Sequence, residues 1–148
     1  DENYDLSKIL DSTLVKENAS KAVTFVDNHD TQPGQSLTSF IERWFKLPAY
    51  TLILLRDEGY PCVFYGDLYG IKHDNIAPIK GLQTLIHIRK EKAYGKQNDY
   101  FDNSNCIGWT REGDNEHIKS GIAVLISNKE DAEKRMYIGN RNDWRKIY

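Results

Sequence analysis

Ala22-Val23-Thr24-Phe25-Val26 is a short, almost continuously apolar run, and it gives way at once to four polar residues, Asp27-Asn28-His29-Asp30. A run this short and this apolar predicts a strand buried on both faces, the pattern of parallel sheets. The polar residues behind it would then stand at the carboxyl end of the sheet, where barrel enzymes assemble their sites. The plainer reading is a strand-ending turn in which Asn28 and Asp30 bond nearby backbone amides. Spacing alone does not separate the two. Thr31-Gln32-Pro33-Gly34-Gln35-Ser36 is punctuated as a loop.

Further along, Leu37 to Glu58 takes on helical spacing, with Phe40, Trp44, Pro48, Leu52 and Leu55 near one face. Pro48 lacks an amide donor and predicts a kink or a restart, and Gly59 a stop. Pro61 to Tyr65 (PCVFY) predicts a second buried strand containing Cys62, followed by a loop over Gly66 to Gly70. Ile79, Leu82, Leu85 and Ile86 mark another helix, to about Lys92. Upstream, Leu6, Leu10 and Leu14, with Ile9 beside them, predict an amphipathic helix capped near Asp5 or Ser7. Helices alternating with strands imply parallel pairing through crossovers.

Beyond Tyr94-Gly95 the character changes. Tyr100-Phe101, Cys106 to Thr110, Ile122 to Ser127 and Arg135 to Ile138 read as short strands between polar turns, hence an antiparallel region. The expected division is residues 1–94 and 95–148. Two parallel strands close no barrel, and the region runs out at Trp144 to Tyr148 with no closing strand in view. With Asp1-Glu2-Asn3-Tyr4 at the start, and neither initiator methionine nor leader pattern, the chain reads as a piece of a longer protein.

Composition narrows the classes. Twenty basic against 22 acidic residues leave a formal charge of −2, so no whole-chain positive field draws nucleic acid or an anionic membrane. The longest apolar stretch, Ile122 to Ile126, is far short of a bilayer span, so the chain reads as soluble. Two cysteines, Cys62 and Cys106, do not make a disulfide scaffold, and a reduced, cytoplasmic protein is expected. His29-Asp30 and His73-Asp74 look superficially like metal ligands of phosphohydrolases. Such sites are usually built from helices, and neither pair falls on a predicted one, so no metal site is expected here. Trp44 and Trp109 are expected in the core.

Longer segments carry a family resemblance. Phe25 to Ser36 (FVDNHDTQPGQS) resembles the fourth signature region of the α-amylases of glycoside hydrolase family thirteen. Trp44 to Gly70 is similar to that family's seventh helix and eighth barrel strand, and Asn98 to Asp114 with Ser120 to Asn128 to the start of its C-terminal β-domain. The likeness runs in order over essentially the whole chain and is nearest to bacterial liquefying and cytoplasmic members.

The resemblance implies an α/β chain. It would be the C-terminal portion of a TIM (β/α)8 barrel, followed by part of an antiparallel β-sandwich. The implied activity is retaining hydrolysis of internal α-1,4-glucosidic bonds in starch, glycogen or maltodextrins. By position, Asp30 resembles the family's third catalytic carboxylate and His29 its substrate-binding histidine. No segment matches the nucleophile or the general acid, so the chain alone is expected to be inactive and to need the remainder of the barrel. A non-catalytic, carbohydrate-contacting or structural role is the alternative. No cofactor is expected in this stretch. Calcium is possible in the longer parent, with Asn98, Asp99 and Asn128 near the corresponding positions.

Overall fold

A computed structural model describes residues 3–139. They fall into two compact units, residues 14–87 in one and residues 3–13 with 88–139 in the other. Among the described residues no helix is long and apolar enough to cross a membrane.

The first unit holds α1 (Leu14–Glu17), β1 (Val23–Phe25), α2 (Arg43–Leu55), β2 (Tyr60–Cys62) and α3 (Tyr65–Tyr69). It also holds the start of α4 (Leu82–Lys92). β1 and β2 pair in parallel, with Val23 opposite Tyr60, Thr24 opposite Pro61 and Phe25 opposite Cys62. Parallel neighbours need a crossover, and α2 supplies it.

Burial departs from expectation on this sheet. Val23 is 63% and Phe25 53% exposed, and Tyr60 and Cys62 are exposed beside them. Side chains alternate along a strand, so these four share one face. The sheet is therefore not buried on both faces, and Cys62 is not a core thiol; the described residues supply no second layer over that face. Cys62 and Cys106 are both free thiols, and Cys106 is buried.

α2 begins later than its pattern suggested and runs unbroken through Pro48. Its buried face is Lys46, Tyr50 and Leu54, flanked by Leu52 and Leu55. That stripe is rotated from the expected one, and Trp44 stands 57% exposed with its ring edge-on to Phe45. The rotation has a cause: a buried pair of carboxylates, Asp27 and Asp67, faces Lys46. A buried charge has to be paired, and this facing gives Lys46 two carboxylate partners. Gly66 to Gly70, expected as a loop, forms most of α3, and Gly70 ends it at φ +81°. α4 forms where its spacing placed it, with Leu82 fully buried.

In the second unit the N-terminal segment is not an amphipathic helix. A single 3₁₀ turn, Leu6–Lys8, is capped by the Asp5 carboxylate, which accepts the Ser7 amide at 3.0 Å. Leu6 alone of that turn is buried, and Ser12 turns into the left-handed region at φ +56°. Polar side chains at Asp11, Ser12 and Thr13 offer the backbone other partners, as Thr13 Oγ1 does by donating to the Leu10 carbonyl.

The antiparallel region comprises β3 (Gln97–Tyr100), β4 (Cys106–Arg111) and β5 (Ile122–Ser127), in the order β3-β4-β5. β4 and β5 fall where expected, whereas β3 lies upstream of the expected Tyr100-Phe101 strand and shares only Tyr100 with it. β4 is central and buried along its whole length. Trp109 faces Val124 and Ile107 faces Ile126, which makes one apolar face. The segment 135–138 is not a strand. It crosses the other face of β4, where the Tyr137 carbonyl accepts Thr110 Oγ1 at 2.7 Å. Gly108 leaves room there, since a Cβ in its place would lie 2.7 Å from the Met136 sulfur. Trp144 to Tyr148 lie outside the described residues.

Candidate active-site segment

His29 and Asp30 occupy the turn just past the carboxyl end of β1. The turn is built by Asn28, whose Oδ1 accepts the amides of Asp30 at 2.9 Å and Thr31 at 3.0 Å. Thr31 Oγ1 in turn accepts the Asn28 amide at 3.1 Å. The local-turn reading holds for Asn28, whose side chain makes the turn, and the turn leaves the side chains of His29 and Asp30 exposed. His29 Nε2 lies 3.4 Å from Asp30 Oδ1, with the side chains 82% and 59% exposed. Both groups are open to a ligand.

Asp27 faces the other way. It is buried, and its Oδ1 accepts the Ile41 amide at 3.3 Å. Its Oδ2 lies 2.7 Å from Lys46 Nζ, off the axis of a good hydrogen bond but in full ionic contact. The same ammonium donates to Asp67 Oδ1 at 2.5 Å. Asp67 Oδ2 accepts the Tyr50 hydroxyl at 2.7 Å, and the Tyr50 oxygen accepts the Phe64 amide at 3.3 Å. Two buried carboxylates therefore share one buried cation, and the links join β1, α2 and the segment after β2.

Burial, and then the hydrogen bond to the Asp67 carboxylate, push the Tyr50 phenol far above the ordinary tyrosine value. The unfolded chain ionises this phenol from about pH 10 while the folded one keeps it neutral. Stability should therefore fall as pH rises past about 10, by up to ~1.4 kcal/mol per pH unit for this group. Urea midpoints between pH 9 and 11 test it: Tyr50→Phe should show a shallower decline than the parent chain.

Beside the cluster lies a cleft of about 380 Å³ lined by Phe40, Ile41, Glu42, Arg43, Lys46 and Ile76, among others. Neither His29 nor Asp30 lines it. The His73-Asp74 pair sits on a separate 3₁₀ turn, Lys72–Asp74, with His73 Nε2 3.3 Å from Asp74 Oδ2. Among the described residues no three His, Cys, Asp or Glu side chains gather as a metal site.

No protein-family model matches the chain. Individual relatives do. It is 52% identical to an α-amylase of Bacillus licheniformis over 94% of its own length, and 49% identical over 98% to one from Geobacillus stearothermophilus. A cytoplasmic α-amylase of Escherichia coli is 42% identical over 93% of the chain. By sequence, this chain matches one stretch of the α-amylases. It spans 28%, 27% and 30% of the length of those three α-amylases.

Of the three residues considered for calcium from the sequence, Asn98 and Asn128 have side-chain partners within the protein. Asn98 turns its amide nitrogen to Glu112 Oε1 at 2.8 Å and to Thr110 Oγ1 at 3.3 Å. Asn128 Oδ1 already accepts Asn105 Nδ2 at 3.0 Å. A hard cation wants converging oxygens, and the Asn128 oxygen is already engaged by Asn105.

Lys46 and Asp67 were not singled out as functional from the sequence. The available signal was a lysine on the apolar side of a helix, one turn before a tyrosine. Such a lysine is rarely buried unless paired, which points to an acid elsewhere in the chain as its partner.

Proposed function

We propose that this chain is part of a retaining α-amylase that hydrolyses internal α-1,4-glucosidic bonds of starch, glycogen or maltodextrins. The observation that carries the reading is the identity to α-amylases over nearly the whole chain. In this reading β1-α2-β2, within residues 1–94, is the last part of a (β/α)8 barrel, and residues 95–148 open a β-sandwich. The exposed face of Val23, Phe25, Tyr60 and Cys62 is the surface that the remainder of the barrel covers. Two free thiols, and a relative named as cytoplasmic, support a cytoplasmic location.

Within that site the tasks follow from the side chains. His29 hydrogen-bonds a hydroxyl of the sugar at the cleavage point. Asp30 accepts sugar hydroxyls and sets a negative charge beside the oxocarbenium-like transition state, where it counts most. A retaining enzyme also needs a nucleophilic carboxylate and an acid about 5–5.5 Å apart. No segment of this chain resembles either group, and Asp27 and Asp67 are held on Lys46, so this reading assigns both groups to the rest of the longer protein.

Asp30→Asn in the full-length protein is the test. Turnover of maltoheptaose should drop ~10²–10³-fold, the cost of one lost transition-state contact, with KM little changed. Undiminished turnover would overturn the assignment.

A further inference from the structure

We infer that Lys46 is a positioning residue for Asp30, acting through Asp27; this rests on the α-amylase reading above. Asp27 is three residues before Asp30 and leaves β1 with its carboxylate buried. Both of its oxygens are held from outside the strand, one by the Ile41 amide and one by Lys46. Lys46 is itself fixed by Asp67, and Asp67 by Tyr50, so the ammonium cannot follow the turn if the turn shifts. From that anchored point Asn28 folds the chain back, bonding the amides of Asp30 and Thr31. The backbone carbonyl of Thr31 then accepts the Ser39 amide at 3.0 Å, which holds the far side of the turn. His29 and Asp30 are thus the exposed apex of a turn pinned at both ends.

The chemistry of the anchor argues for orientation over cohesion. Buried ion pairs are often no more stabilising than apolar residues of the same volume. Here two acids and one base are buried together, an expensive way to fill a core. What such a cluster does supply is direction, because each charge has one arrangement that satisfies it. A reacting group displaced by about 1 Å can lose 10²-fold in rate, so a directional anchor directly behind Asp30 acts on turnover.

The test uses the full-length protein, with maltoheptaose as substrate. Lys46→Met should lower kcat about 10–100-fold while KM stays within about threefold. Asp27→Asn keeps an acceptor for the Ile41 amide but loses the charge contact, and should lower kcat about tenfold at constant KM; it decides the matter if Lys46→Met does not fold. Ile107→Ala, buried in the other unit, is the control for lost stability, and its kcat should stay within about twofold below its melting temperature. A wild-type kcat in the folded Lys46→Met or Asp27→Asn protein, alongside an inactive Asp30→Asn protein, overturns the positioning role and leaves the Asp30 assignment standing. If Asp30→Asn itself keeps full turnover, the underlying reading fails instead.

Discussion

Replacing Lys46 by methionine should destabilise the first unit by about 3–5 kcal/mol, the usual cost of stripping one partner from a buried charge pair. The methionine matches the lysine stem in length, so little packing is lost. The loss comes from Asp27 and Asp67, left buried at 2% and 3% exposure without their cation. Each then retains a single neutral donor, the Ile41 amide for Asp27 and the Tyr50 hydroxyl for Asp67. Adding Asp27→Asn and Asp67→Asn to Lys46→Met should recover most of the loss, because a cluster with no charge has none to leave uncompensated. Urea unfolding of the single and triple variants measures both values. A single variant as stable as the parent chain would mean that water reaches these groups in solution.

The second large effect is expected at the centre of the other unit. Trp109→Ala should cost about 3–5 kcal/mol, a large share of the 5–15 kcal/mol that typically holds a domain folded. Trp109 is fully buried on the central strand, opposite Val124 and beside Ile107 and Ile126. Neighbouring strands are fixed by their ladders and cannot close over the space. Hydrogen exchange at the β4 amides, compared between the parent chain and the variant, reads out the loss in that unit.

What could be read from the sequence follows the range of the interactions involved. The β1-α2-β2 order, α4, β4 and β5 are local patterns of period and punctuation, and each was legible. The position of His29 and Asp30 beyond a strand was legible for the same reason. β3 was not legible, because Gln97-Asn98-Asp99 carries no apolar alternation and is a strand only through its pairing with β4. The facing of α2 was not, because Lys46 meets an acid 21 residues away, and no local period records that. Nor was the exposure of Val23 and Cys62, since an apolar strand shows only that it wants covering. Residues 135–138 look like a strand by composition, but their backbone is held by the side chains of Thr110 and Tyr100 rather than by a ladder.

The buried triad of Asp27, Lys46 and Asp67 also sets where this gene segment can be recombined with those of its relatives. A crossover falling between Asp27 and Lys46, or between Lys46 and Asp67, takes acids and base from different parents, so the triad has to re-form across the join. Breakpoints placed before β1 and after α3 hand over the exposed apex together with everything that aims it. Chimaeras cut at those outer points should keep the geometry of the donor, whichever host supplies the rest of the fold.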